Sequence, residues 1–297
     1  MDIAELMKEV GQIRLVTSRL MDEHLVGDYH SVFKGQGIEF DEVREYTPGD
    51  DIRSIDWNVT ARMAHPYVKR YAEERELTVM FLVDASGSMR FGSSAQSKAA
   101  LAARLTCLLA LSAIRNQDKV GLILFSDRIR KFISPRKGRT AVMRLVREVL
   151  AAEDTAERTD IAGALRFFNN VQKRKAIVFL VSDFLDGTFI PELRVTARKH
   201  DVIACRISDP REEMLTPAGL LEAEDPETGE LFLLDTSPAQ VRHVYAENAA
   251  LRTQQLQSSF RKLKMDHLSL ATDRPYADEI RKFFRLRQRR AARGGRT

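Results

Sequence analysis

Residues 77–83, reading Leu-Thr-Val-Met-Phe-Leu-Val, make an apolar run of strand length that empties into Asp84, Ser86 and Ser88. A strand without polar interruption has to be covered on both faces, which points to an inner strand of a mainly parallel sheet. The tight Asp-x-Ser-x-Ser loop after it then carries one carboxylate and two hydroxyls, all hard oxygen donors that can turn toward a single point. Two later stretches, Thr159-Asp160 and Ser182-Asp183, repeat this placement of oxygen ligands at the edge of a regular element.

The remainder of the chain supplies the sheet. Apolar runs predict strands at 119–125, 129–133, 176–181, 202–207 and 267–271, and helical periodicity predicts helices at 97–114, 140–152, 160–171, 189–199 and 238–264. Strands alternating with helices predict an α/β fold, a doubly wound, mainly parallel sheet flanked by helices. The rhythm breaks after Pro210, where Asp225-Pro226 and Thr228-Gly229 punctuate a hairpin or flap between Glu222 and Asp235. Near the start, Ile3, Leu6, Met7, Val10, Ile13 and Val16 recur at helical spacing and predict an amphipathic helix.

In doubly wound sheets, ligands gather beyond the carboxyl ends of the strands, where the winding reverses. Asp84, Ser86 and Ser88 follow the first strand of the pattern, Asp183 follows a later one, and Thr159 opens the helix between them. Topology alone brings these three loops together. Asp84, Ser86, Ser88, Thr159 and Asp183 are therefore the candidate ligands of a cation. Hard oxygens without a cysteine or a paired-histidine spacing favour Mg²⁺ or Mn²⁺. Neutral hydroxyls leave much of the ion's charge uncompensated, with Asp84 and Asp183 acting through waters or hydrogen bonds. Such an ion attracts a carboxylate from outside, so the chemistry serves adhesion, and the ion can be absent until a partner supplies that carboxylate. The plainer alternative, in which these residues cap helices and close turns, stays open.

Composition narrows the function classes. The chain of 297 residues, 44% hydrophobic, can bury a sizeable core. Cys107 and Cys205 fall in apolar contexts and read as buried thiols rather than a disulfide. His65, His200 and His243 lie near turns or on polar helices and are expected at the surface. The formal net charge of +5 is concentrated at Arg281, Lys282, Arg285, Arg287, Arg289, Arg290, Arg293 and Arg296. A final helix docked by Ile280, Phe283, Phe284 and Leu286, ending in a solvated tail, is the expectation. The alternative is a tail that grips nucleic acid or an anionic membrane, although no interleaved aromatics or recognition motif accompany it. No apolar stretch approaches the roughly 20 residues of a membrane span. Met1 to Val10 already mixes charged with apolar residues, so no leader is expected and the cytoplasm is the default location.

An enzyme is not expected. An aspartyl-phosphate phosphatase wants a second acid two residues after Asp84, where Ser86 stands, so a metal-dependent hydrolase is only a minor alternative. No Gly-x-x-x-x-Gly-Lys loop or His-Glu-x-x-His helix occurs, and Ser86 is not centred in a Gly-x-Ser-x-Gly elbow.

Residues 35–62 form a string rich in Gly, Asp and aromatics, with a turn at Pro48-Gly49-Asp50. Arg44, Arg53 and Arg62 with Asp50, Asp51 and Asp56 read as paired charges locking an irregular layer onto the sheet, with Trp57, the only tryptophan, as its plug. The alternative is a partner-docking surface carrying Arg44, Asp50, Arg53, Asp56 and Trp57.

The oxygen cluster resembles the metal-ion-dependent adhesion site of the von Willebrand factor A family. The strings Arg-x-Tyr-x-Pro-Gly-Asp at Arg44 to Asp50 and Arg-x-Ile-Asp-Trp at Arg53 to Trp57, followed by VKRYAEERELTVMFLVDASGSM, resemble the bacterial family called domain of unknown function 58. The resemblance implies an N-terminal extension over residues 1–76 packing on the core, a von Willebrand factor A-like domain over 77–275, and a C-terminal basic helix and tail over 276–297. It implies a non-enzymatic binding protein that works beside a MoxR-type AAA+ ATPase in complex maturation, metal insertion or stress handling. The family's metal ligands map onto Asp84, Ser86, Ser88, Thr159 and Asp183. Glu157 and Arg158 stand where small residues usually precede the threonine, and Phe184 follows Asp183 where many A domains have glycine. Binding without a metal therefore stays open.

Overall fold

The computed structural model describes residues 39–63, 65–72, 77–94, 96–152, 158–224 and 230–294; the helix expected at 3–16, Glu157, the hairpin's turn and Arg296 lie outside them. The described residues divide into two compact units, one ending at Leu77 and one beginning at Thr78.

In the smaller unit β1 (Glu39–Glu45) pairs antiparallel with β2 (Tyr67–Ala72). A 3-10 turn at Ile52–Ser54 and a short helix α1 (Trp57–Met63) lie between them. The chain leaves β1 through Thr47-Pro48-Gly49-Asp50, where Gly49 takes φ +115°, a region that residues with a Cβ avoid. Arg44 closes this turn with its forked guanidinium, donating to the two Asp50 carboxylate oxygens at 2.6 and 2.9 Å, while the Thr47 N–H donates to the same group at 2.9 Å. The Arg44 hydrogen bonds, followed by the Thr47 N–H, hold the Asp50 carboxyl at about 2.

The expected charge pairing therefore holds for Arg44 and Asp50. Asp51 and Asp56 serve as caps, Asp51 accepting from the Arg53 N–H and Asp56 from those of Asn58 and Val59. Trp57, expected as a plug, is 68% exposed. The reason is local: α1 has no buried residue and is anchored by polar bonds, Asp56 N–H to the Tyr67 carbonyl and Tyr67 N–H to Thr60 Oγ1.

The larger unit is built on a six-stranded sheet. Its strands are β3 (Thr78–Asp84), β4 (Lys119–Phe125), β5 (Ile129–Arg136), β6 (Ile177–Ser182), β7 (Asp201–Ser208) and, last in the chain, Asp266–Ala271. Crossovers run through α2 (Lys98–Arg115), α3 (Arg139–Leu150), α4 (Ile161–Val171) and α5 (Ile190–Lys199). After β7 come a one-turn helix α6 (Pro210–Glu213), the hairpin β8 (Leu220–Glu224) and β9 (Leu231–Asp235), and the long helix α7 (Ala239–Lys262). Strand β10 (Asp266–Ala271) and helix α8 (Tyr276–Gly294) follow.

The strand order is β10-β7-β6-β3-β4-β5. All pairings are parallel except β4 with β5, which a short connection turns back on itself, so β5 is antiparallel and extends beyond the expected 133 to Arg136. This is the expected doubly wound sheet. Successive strands step outward from β3 in one direction and then from β6 in the other, so the winding reverses between β3 and β6.

Alternation along the strands divides the core into two layers. Met80, Leu82, Ile123, Phe125, Val178 and Leu180 pack against Ile161, Leu165 and Phe168 of α4, Leu193 of α5 and Phe260 of α7. On the other face, where Val79, Phe81 and Val83 point, α2 lies against β3, β4 and β7 with Leu101, Leu105 and Leu108 buried. Phe81 and Phe179 of neighbouring strands stack at 5.5 Å. Full burial of one such side chain contributes about 1.5–3 kcal/mol. Both cysteines are buried and neither is in a disulfide.

Two expectations need correction here. Leu286 does not dock and is 45% exposed, because Ile280, Phe283 and Phe284 place the buried stripe of α8 so that its next position falls on Arg287. The Arg287 guanidinium pairs with Asp201 and Asp266, and Arg290 reaches Asp266 at 2.7 Å. Part of the helix's positive charge is thereby spent inside the fold.

His200 is not at the surface. It ends α5 with its ring buried against Phe168, centroids 4.7 Å apart, and neither ring nitrogen has a hydrogen-bond partner. Burial, then the charge of Lys199, pushes the imidazole down to about 4. An unfolded histidine takes up its proton near 6.5, so acidification from that pH to about 4 stabilises the unfolded chain and removes stability from the fold. Urea midpoints at pH 7 and pH 4.5 should fall less with acid in His200→Leu than in the parent; equal losses would refute this account.

Candidate functional site

The register of β3 with β6, Val83 opposite Val181, sets Asp84 beside Ser182 at the carboxyl ends of the two strands. Ser182 Oγ donates to Asp84 Oδ2 at 2.6 Å and accepts from the Phe184 N–H at 3.0 Å. The Ser86 N–H donates to Asp84 Oδ1 at 2.9 Å. Ser86 Oγ and Ser88 Oγ stand 3.2 Å apart, both buried. Burial, then the neighbouring Asp183 charge, raises the Asp84 carboxyl to about 7.

Asp183 meets a different partner. Lys98, the first residue of α2, is fully buried and donates from Nζ to Asp183 Oδ2 at 2.7 Å and to Glu212 Oε1 of α6. Burial by itself would lower the Lys98 ammonium, but the two carboxylates outweigh it and hold the group above its ordinary value. Ser97 caps α2 through the Ala100 N–H, which fixes where Lys98 starts. Asp209 and Glu212 form the capping box of α6, which fixes the other end of the bridge. Phe184 then takes φ +59°, a left-handed conformation in which an aromatic side chain is strained by about 1–3 kcal/mol. Its buried ring is held by Phe189 and Phe260 at 5.6 and 5.4 Å. A glycine would adopt this backbone freely, and the aromatic lock is what this chain has in its place.

The third loop arrives one strand over. The Ala85 N–H donates to the Phe125 carbonyl and the Asp160 N–H to the Ser126 carbonyl, so residues 158–160 border the Asp84 loop. Asp160 caps α4 through the Gly163 N–H at 2.7 Å, and a Cβ at Gly163 would collide with that carboxylate. Asp186, beyond the Asp183 turn, accepts from the Ile161 N–H at 3.1 Å and ties this loop to the first residue of α4. The structure thus brings Asp84, Ser86, Ser88 and Asp183 together and sets half-buried Thr159 in the adjoining segment. Arg158 is exposed rather than turned into the cluster.

These residues fit a small hard cation on their hydroxyl side. Two ligands at right angles in an octahedron with metal–oxygen distances of 2.0–2.1 Å lie about 3.0 Å apart, close to the separation of the serine hydroxyls. Among the described residues no group of three or more His, Cys, Asp or Glu side chains is placed to hold a metal, so the hydroxyls would carry the coordination. Beside the cluster opens a cleft of about 560 Å³, lined by Ser88, Asp183, Leu185, Glu212, Tyr245 and Arg252 among others.

Sequence reading missed Lys98, Glu212 and the role of Ser182. A lysine in the first turn of a helix has no pattern that announces burial, and Glu212 lies 114 residues from it. Ser182 was visible next to Asp183, but its bond to Asp84 follows only from the strand register.

The family described as "Protein of unknown function DUF58" matches residues 42–255, and the chain belongs to it. Uncharacterized proteins of Mycobacterium tuberculosis and Mycobacterium bovis are 29% identical to it over 296 residues, covering 99% of this chain and 93% of theirs. Among solved structures, the conserved hypothetical protein BatB from Bacteroides thetaiotaomicron aligns with a TM-score of 0.46 at 14% identity, over 72% of this chain and 99% of that one. The SpRpn10 VWA domain aligns with a TM-score of 0.38 at 10% identity, over 69% and 94%.

Ser182→Ala leaves a buried Asp84 oxygen without its donor and the Phe184 N–H without its acceptor. It should cost about 1–3 kcal/mol in urea denaturation. A loss below about 0.5 kcal/mol would mean that Ser182 does not hold the two strand ends together.

Proposed function

Taking membership in that family as the premise, we propose that the cluster is a metal-ion-dependent adhesion site. It takes up Mg²⁺ or Mn²⁺ through Ser86, Ser88 and Thr159, with Asp84 and Asp183 acting through hydrogen bonds or waters, and presents an open position to a carboxylate of a partner protein. The observation that carries this reading is the pair of buried serine hydroxyls 3.2 Å apart at the winding reversal, on a loop tied to Asp84 through the Ser86 N–H and flanked by a cleft that Ser88 and Asp183 line. Three neutral ligands leave the ion short of negative charge, so an outside Asp or Glu completes its coordination.

The protein is then a non-enzymatic binder. Its partner, by the family resemblance, is a MoxR-type AAA+ ATPase, acting in complex maturation or stress response. Such an ATPase needs nucleotide, which puts the encounter in the cytoplasm. Among the described residues no helix is long and apolar enough to cross a membrane. The cleft gives a captured segment room beside the ion, with Tyr245 and Leu185 as apolar contacts and Arg252 as a further cation.

The test is a calorimetric titration of Mg²⁺ and Mn²⁺ into the protein, followed by capture of the co-encoded or co-purifying ATPase in the presence and absence of EDTA. Ser86→Ala with Ser88→Ala should keep the circular dichroism spectrum and lose both cation uptake and EDTA-sensitive capture. Capture that survives both the double substitution and EDTA would overturn the adhesion reading.

A further inference from the structure

We propose that Lys98 is a resident counter-cation of the site: it holds Asp183 and Glu212 when no metal is bound, and a divalent ion that engages Asp183 has to take that carboxylate from it. The inference builds on the adhesion-site reading and names how the site is regulated. Three observations support it. Lys98 has no exposure to water, so its ammonium cannot be a solvated neighbour that simply moves aside. Its Nζ lies 2.7 Å from Asp183 Oδ2, which puts a full positive charge against one of the two oxygens of that carboxylate. Its second partner, Glu212, lines the cleft, so the same ammonium links the ligand loop to the wall of the cleft.

Electrostatics sets the consequence. Two cations competing for one carboxylate at hydrogen-bond distance repel each other in a poorly screened interior, so Lys98 weakens the affinity for a divalent ion. In return it keeps buried Asp183 and half-buried Glu212 from facing each other without compensation in the metal-free protein. An ion that draws Asp183 away leaves Lys98 to Glu212 alone, and cation uptake is thereby communicated to α6 and the cleft.

The experiment compares the parent with Lys98→Gln, which keeps the length and a donor but removes the charge, and with Lys98→Met, which removes both. Mg²⁺ and Mn²⁺ affinity is measured by calorimetry and melting temperature is measured with each ion and with EDTA. Both variants should melt lower than the parent in EDTA, recover most of the loss on adding the cation, and bind it roughly tenfold or more tightly. A folded variant that binds no more tightly than the parent, or whose lowered melting temperature does not respond to the ion, overturns the proposal. Binding by the parent that is unchanged in the variants leaves the adhesion site standing and removes only Lys98's role. Absence of binding in the parent and in both variants sinks the two readings together. Should neither variant fold, Glu212→Gln decides: it gives Lys98 wholly to Asp183 and should weaken ion binding several-fold, and unchanged affinity would count against the competition.

Discussion

A carboxylate placed at the end of a strand that is covered on both faces must find hydrogen bonds or an opposite charge, because the desolvation it suffers exceeds what most single contacts return. This chain places such carboxylates beyond three neighbouring strands, and the whole carboxyl edge of the sheet is organised around their satisfaction. Asp84 is met by a hydroxyl and an amide, and by the possibility of holding a proton near neutral pH. Asp183 is met by the Lys98 ammonium. Asp209, after β7, accepts from Ser93 Oγ at 2.6 Å and from Thr272 Oγ1, beyond β10, at 2.6 Å. Each solution ties one loop to another across the carboxyl edge.

The fold was readable because its signal is redundant. Strands β3, β4 and β6 are apolar in all but their end residues and β7 is apolar from Val202 to Cys205, and runs of that kind admit few places other than the middle of a covered sheet. The direction of β5 was less readable, since an alternating eight-residue strand satisfies either orientation until the length of its connection is considered. Among the candidate ligands, those that immediately follow strands were found by position. Residues that act from the opposite side of the crevice were not, because their chemistry depends on register and on contacts across more than 80 residues. His200 shows the same limit in reverse. Polar neighbours such as Lys199 and Asp201 suggested the surface, yet the helix end turns its imidazole onto Phe168.

The smaller unit illustrates how local geometry can fix a short string. Arg44 and Asp50 are separated by one tight turn, and only a planar fork matched to a carboxylate closes it with two bonds. Gly49 is required by the backbone, and Asp56 by the first turn of α1. These positions are fixed by local geometry. Trp57, Ile52 and Met63 are not: three large apolar side chains stay exposed on a unit whose polar residues are already engaged. In the string that carries the family resemblance, the Arg44–Asp50 pair and the aspartate caps account for local structure, whereas Trp57, Ile52 and Met63 are exposed.

The balance of charge at the cleft mouth gives the adhesion reading its physical content. Asp183 and Glu212 share the Lys98 ammonium at the cleft mouth, and Arg252 is a further cation on the cleft wall. In the proposed site a divalent ion on the serine hydroxyls would add positive charge beside these acids and so favour an acidic partner. The hydroxyls matter because they are neutral: carboxylates in their place would bind the ion more firmly but cancel the charge that a partner's carboxylate is attracted to. Lys98 contributes the complementary half, keeping the empty arrangement folded while making occupancy conditional. A site built from weak neutral ligands and an internal competitor is poorly suited to storing a metal and well suited to holding one only while an outside carboxylate shares it.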